Sequence, residues 1–293
     1  MTGSLLRLPD GRDLEVRVVG PEEGTLLVFH HGSPGAAVPF PRLEEAASAR
    51  GVRVASFSRP GFGASSRRPG RRVADVAEDV AALADHLGAE RFLTLGASGG
   101  GPHAVATAAL LPTRVLAAAT IGGVAPYDAE GLDWTEGMGE DNRTEYPLAA
   151  RDPEALLAWM EPQVETFRRI SAEEVISALR SLVSPVDEAA LAGELGAFLA
   201  ASGHAAFRLG PWGWYDDDLA FVAPWGFDLA AIRCPVAVWQ GGEDRFVPFA
   251  HGRWLAEHLP TARPRLRPEH GHLSLLTQAL DAILDDLLEL AAA

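Results

Sequence analysis

The chain has 293 residues, 47% of them hydrophobic and 22% charged, with a formal net charge of -15. That length can bury a full core as one large α/β domain, or as one domain with an inserted lid. The acidity argues against nucleic acid and anionic membranes, which bind basic patches, and the single cysteine, Cys234, excludes an internal disulfide and fits a reducing cytoplasm. Cys234 precedes Pro235 at the head of an apolar run and reads as a small buried hydrophobe. The first residues lack the basic region and apolar core of a signal peptide, and no apolar run is long enough to span a bilayer.

In chain order, residues 5–8 and 14–19 alternate apolar and polar residues around Pro9-Asp10-Gly11-Arg12, which predicts a hairpin. Residues 25–30 form a continuous apolar run, as a buried parallel strand does. A helical pattern over 41–50 and a strand over 52–57 follow. Residues 73–87 repeat apolar side chains at helical spacing, with Gly88 as the stop. An apolar strand from Phe92 then runs into Gly96-Ala97-Ser98-Gly99-Gly100 and a helix, and another strand is expected at 115–121. From 124 to 228 helical patterns are broken by Gly and Pro, with no clear strand and many aromatic residues. Alternation resumes with strands at 235–240 and 262–267 and helices at 248–258 and 273–290. Alternating strands and helices imply a parallel sheet covered on both faces, with the interruption as one helical insertion over the ligand crevice.

Gly96-Ala97-Ser98-Gly99-Gly100 fits a nucleophile elbow: a serine in a tight strand-to-helix bend, flanked by residues small enough for the backbone to close. The following helix aims free N–H groups at the same point. No Lys-Ser or Lys-Thr follows, and the spacing misses the dinucleotide fingerprint, so a phosphate loop is the weaker reading. A serine nucleophile needs a base, an orienting acid and an oxyanion hole, with the acid before the histidine in the chain. The acid candidate is Asp244, after a strand and Gly241-Gly242, with Glu243 as competitor. The base candidate is His272, between the last strand and last helix, with His270 as competitor. His103 is expected to pack inside the elbow helix, His204 to border a pocket, and His86, His251 and His258 to be ordinary helix residues. The loop His30-His31-Gly32-Ser33-Pro34-Gly35 follows a buried strand and is expected to present the Ser33 amide beside that of Gly99 as the two oxyanion donors.

Taken together, His31-Gly32-Ser33-Pro34-Gly35, Ser58-Arg59-Pro60-Gly61-Phe62-Gly63-Ala64-Ser65, the serine turn, Gly241-Gly242-Glu243-Asp244 and Gly271-His272 resemble the α/β-hydrolase superfamily. The resemblance covers the chain outside the insertion. It implies an eight-stranded, mostly parallel sheet flanked by helices, with a core at 1–123 and 229–293 and a helical cap at 124–228. It also implies the triad Ser98, Asp244 and His272. Pro224-Trp225-Gly226-Phe227-Asp228 looks like a group of bacterial hydrolases with no firmly assigned substrate. Serine at position 98 speaks against the superfamily's haloalkane dehalogenases and epoxide hydrolases, which use aspartate.

The expected activity is hydrolysis of a small, largely apolar carboxylic ester through an acyl-enzyme, by a cytoplasmic monomer or homodimer with no cofactor and no metal. His31, Trp134, Trp212 and Trp214 are the expected substrate contacts. C–C bond hydrolysis and prolyl aminopeptidase chemistry remain open with the same triad, the latter needing a carboxylate such as Glu145 or those at 216–218 for the substrate amine. A non-hydrolytic small-molecule receptor on the same scaffold is the reading from another class.

Overall fold

The first hairpin closes as its turn residues dictate: the Leu8 amide donates to Arg12 O at 2.8 Å, and the Asp10 carboxylate accepts the Arg12 amide at 3.0 Å. The structure is a computed structural model that describes residues 3–191 and 193–293. Its strands are β1 (Ser4–Arg7), β2 (Asp13–Val19), β3 (Thr25–His30), β4 (Val52–Phe57), β5 (Phe92–Ala97), β6 (Val115–Ile121), β7 (Val236–Gly241) and β8 (Ala262–Arg267). They form one eight-stranded sheet in the order β1-β2-β4-β3-β5-β6-β7-β8. The β1–β2 and β2–β4 pairs are antiparallel and the rest parallel, so the mostly parallel sheet expected above is the one found.

Helices cover both faces. In chain order they are α1 (Pro41–Ser48), α2 (Val76–His86), α3 (Gly101–Leu110), α4 (Glu140–Arg151), α5 (Pro153–Phe167), α6 (Val175–Ala178), α7 (Pro185–Ala190), α8 (Glu194–Ala206), α9 (Trp212–Val222), α10 (Phe249–His258), α11 (His272–Gln278) and α12 (Leu280–Ala292). Successive strand residues point to opposite faces, so the apolar runs feed two cores. Leu26, Val28, Phe92, Val236 and Val238 join the core under α2 and α3; Leu27, Phe29, Leu93, Leu95, Ala237 and Trp239 join the one under α1, α11 and α12. The exposed edge strand β8 carries Arg263, Arg265 and Arg267, charges that oppose edge-to-edge pairing.

Two boundaries differ from the sequence pattern. The helix expected over 73–87 begins as a 3₁₀ turn, Val73–Asp75, before α2. The helix expected over 273–290 breaks at Ala279 into α11 and α12. The break lets α12 lie along α1, where Arg50 pairs with Asp281 at 2.9 Å and Asp285 at 2.5 Å, and Arg42 also pairs with Asp281. Apolar periodicity runs through Ala279 unchanged and could not mark the bend.

Helices α4–α9 lie between β6 and β7, with no strand among the described residues there. They enclose a third apolar cluster that includes Leu156, Met160, Phe207 and Trp214, joined by Phe62 from the loop after β4. No helix among the described residues is long and apolar enough to cross a membrane.

Candidate active site

The strand order brings the ends of β3 and β5 side by side, with His30 opposite Gly96 and β6 on the other flank of β5. Ser98 stands where β5 passes into the 3₁₀ turn Ser98–Gly100 and then α3. At φ 54° it is the only described non-glycine residue with positive φ. That backbone state costs about 1–3 kcal/mol and persists only where its surroundings enforce it. They do so by close approach: a Cβ on Gly100 would lie 2.2 Å from His30 O and 2.7 Å from His31 O.

The loop after β3 folds against this turn through a cis Ser33–Pro34 peptide bond. The Ser33 amide nitrogen lies 3.1 Å from the point where a Cβ on Gly99 would stand, so residues 33 and 99 face each other. Beneath the loop is the fully buried Arg59, which donates to His31 O at 2.5 Å and Gly32 O at 3.1 Å. Its charge meets buried Asp217 of α9 at 2.7 Å, and Arg71 meets the other Asp217 oxygen at 2.6 Å. Burial opposes the Asp217 charge, but the two arginines hold its carboxyl far below the ordinary range. Both His31 nitrogens serve the loop. Nδ1 is 2.6 Å from Gly32 O, and Nε2 accepts the Arg59 amide at 3.2 Å, so the network assigns a neutral ring protonated on Nδ1. Burial and the Arg59 charge push its pKa well below the ordinary histidine value.

Asp244 and His272 converge from the turns after β7 and β8. His272 Nδ1 donates to Asp244 Oδ2 at 2.6 Å. The other Asp244 oxygen accepts the amides of Phe246 at 2.9 Å and Val247 at 2.7 Å, and Gln240 Nε2 donates to Oδ2 at 3.1 Å. Phe246 stacks on the His272 ring, centroids 4.6 Å apart. Burial alone would lower the His272 pKa, but the Asp244 charge and hydrogen bond outweigh it and raise the pKa above the ordinary value. The competitors Glu243 and His270 are exposed and half-buried, and neither bonds to this pair.

Ser98 and His272 line one cavity of about 170 Å³, mostly apolar, into which Gly32, Ser33 and Gly99 also open. Among the described residues no hydrogen bond joins Ser98 to His272; such contacts commonly close only with substrate bound. The structure therefore brings Ser98, His272, Ser33 and Gly99 to one cavity, with Asp244 directly behind His272.

The expected substrate contacts divide. His31 and Trp214 line the cavity. Trp134 does not: its Nε1 donates to Ala125 O at 2.8 Å and its ring packs among Tyr127, Tyr146 and His251. Trp212 also lies off the cavity, with the Arg67 guanidinium 4.0 Å over its ring. His204 hydrogen-bonds to Ile170 O at 2.8 Å and does not border the cavity. His103 is packed against the elbow as expected, its Nδ1 2.9 Å from Gly99 O. His251 is less ordinary than its helix position implied: its ring bridges the Ala125 amide at 3.1 Å and Trp134 O at 2.8 Å. Cys234 is buried as expected.

Sequence reasoning missed Arg59 as the prop of the loop after β3, and the partners of the acidic run on α9. Asp216 pairs with Arg67 at 2.8 Å and Asp217 with Arg59 and Arg71, while both carboxylate oxygens of Asp218 are buried without a hydrogen-bond partner among the described residues. Glu145 lines the cavity and accepts Trp214 Nε1 at 2.5 Å. Burial pushes its carboxyl up to about 7. Three consecutive aspartates on a helix full of apolar residues were the available signal, since buried carboxylates demand partners.

The family model for the alpha/beta hydrolase fold matches residues 25–279. The uncharacterized hydrolase YcgS of Bacillus subtilis (strain 168) is 28% identical over 290 residues, covering 90% of this chain and 89% of that protein. The 2-hydroxy-6-oxononadienedioate/2-hydroxy-6-oxononatrienedioate hydrolase of Cupriavidus pinatubonensis is 27% identical over 291 residues, covering 92% of this chain and 89% of that one. A thermophilic esterase from Thermogutta terrifontis superposes with a TM-score of 0.71 at 22% identity, over 99% of this chain and 100% of that one, which is a likeness of fold. The family match across residues 25–279, on an eight-stranded sheet with this strand order, places the chain in the α/β-hydrolase family.

Proposed function

We propose that this α/β hydrolase is a serine esterase that acts through an acyl-enzyme on a small, largely apolar carboxylic ester. The observation that carries the reading is Ser98, strained to φ 54° and opening into the same cavity as a histidine whose Nδ1 is bound to a buried carboxylate at 2.6 Å. His272 Nε2 takes the Ser98 hydroxyl proton as Oγ attacks the ester carbonyl carbon. The Ser33 and Gly99 amides receive the developing oxyanion, each such donor being worth roughly 10²- to 10³-fold in rate. Asp244 holds the ring with Nδ1 protonated and stabilises the imidazolium, which then protonates the departing alkoxide. Water repeats the sequence on the acyl-enzyme. Helices α4–α9 act as the cap that bounds the apolar cavity.

A second reading, C–C bond hydrolysis, draws on the Cupriavidus relative, whose name specifies a dianionic substrate. The cavity disfavours a dianion: Asp141 lines it, and no Lys or Arg is among its described lining residues. The test is turnover of p-nitrophenyl acetate and butyrate beside a prolyl p-nitroanilide and a 2-hydroxy-6-oxo-dienoate. The expected result is ester hydrolysis that falls at least about 10⁴-fold in Ser98→Ala. Undiminished turnover in the variant, or preference for the dienoate, would overturn the ester reading.

A further inference from the structure

His272 is the first residue of α11, so its own amide and the next two have no acceptor inside that helix. The residue before it, Gly271, has no side chain to cap them. The cap comes from 85 positions away: His272 N donates to Asp187 Oδ2 at 2.8 Å, and Leu273 N and Ser274 N donate to Asp187 Oδ1 at 2.9 and 2.8 Å. Asp187 is fully buried and belongs to α7, within the helical segment between β6 and β7. The fit is close, since a Cβ on Gly271 would stand 2.4 Å from both Asp187 carboxylate oxygens.

We infer that Asp187 is a positioning residue for His272, holding the histidine backbone from the cap while Asp244 holds its ring from the sheet. The inference rests on the reading of His272 as the base for Ser98. Two constraints from opposite sides fix the imidazole: Nδ1 bonded to Asp244 with Phe246 stacked on the ring, and the main chain clamped by three charge-assisted bonds. A local side-chain cap would secure α11 alone. A cap from α7 also ties the placement of His272 to the segment that bounds the substrate cavity.

The same contact places a second carboxylate near the ring, and its charge acts with that of Asp244 to favour the imidazolium. The elements packed on α11 bring no other charge to His272. On α12, Asp281 and Asp285 pair with Arg42 and Arg50, and Asp286 with Arg265. Glu188 of α7 is exposed, and β6 carries no titratable side chain.

The test follows His272 directly, by NMR titration of ¹³C-labelled histidines assigned with His272→Gln, beside the pH profile of kcat/KM. In Asp187→Asn, near in shape but uncharged, the His272 pKa is expected to fall by about 1, and the acid limb of kcat/KM to move down with it. Asp187→Glu is expected to recover part of both shifts. A folded Asp187→Asn with an unmoved His272 titration would overturn the inference. A moved titration with an unmoved acid limb supports the clamp and contradicts His272 as the base. If Asp187→Asn does not fold, hydrogen exchange in the unaltered protein decides. First-turn helix amides ordinarily exchange freely, so protection at residues 272–274 supports the clamp and free exchange there overturns it.

Discussion

For His272 to take a proton from Ser98 its ring must be neutral, so the kcat/KM of the proposed esterase is expected to fall tenfold per pH unit below the pKa of the free imidazole. Burial works against the imidazolium and Asp244 works for it, with Asp244 the stronger, so that limb is expected to begin above the ordinary value of 6.5. Asp244→Asn removes the charge and disturbs the tautomer; kcat is expected to fall by about 10⁴-fold and the limb to move to lower pH, as a pH–rate profile will show. The positions of Ser98, Asp244 and His272 were legible in the sequence because each follows an apolar strand and sits beside glycines that let the backbone close. The roles of Arg59, Asp187 and Asp217 were not legible. An arginine in a glycine-rich loop and aspartates on helices read as surface residues until their partners, 85 to 158 positions away, are known. His31 lines the cavity, and only the fold shows that both its nitrogens are also committed to Gly32 and Arg59.

The helical segment between β6 and β7 is joined to the sheet domain through buried charge as well as apolar packing, and α9 carries most of it. Removing one partner of a buried ion pair leaves the others uncompensated, at a cost of about 3–5 kcal/mol. Asp217→Asn is therefore expected to lower unfolding stability by about that amount in urea titrations, through Arg59 and Arg71. Glu145, between α9 and the cavity, has the opposite sign. Its folded-state carboxyl titrates near 7 against an ordinary 4.5, so the folded protein keeps a proton that the unfolded chain releases. Stability is then expected to decline as pH rises from about 4.5 to about 7, and Glu145→Gln to flatten that decline in thermal melts at stepped pH. Strands were readable at this scale because a parallel sheet buried on both faces requires continuous apolar runs. Helices α4–α9 were readable as helices, but their partners were not, because periodicity gives a helix its buried face and says nothing of what covers that face. Trp134 and Trp212 show this: both read as pocket aromatics, and one packs under α10 while the other holds Arg67.

At the scale of the whole molecule, the sheet order sets the chemistry. Loops after β3, β5, β7 and β8 meet at the carboxyl ends of the strands, and the helices inserted after β6 roof the apolar cavity between them. The acidic balance of the chain extends into that cavity through Asp141, and no Lys or Arg is among its described lining residues, which fits a neutral substrate better than an anionic one. On the proposed mechanism Ser98 is a nucleophile activated only in the folded protein. The most direct measurement is mass-spectrometric mapping of the adduct formed with a fluorophosphonate probe. One adduct is expected, on the peptide containing Ser98, lost in Ser98→Ala and strongly slowed in His272→Gln. An unlabelled folded protein, or an adduct on a different residue, would contradict it.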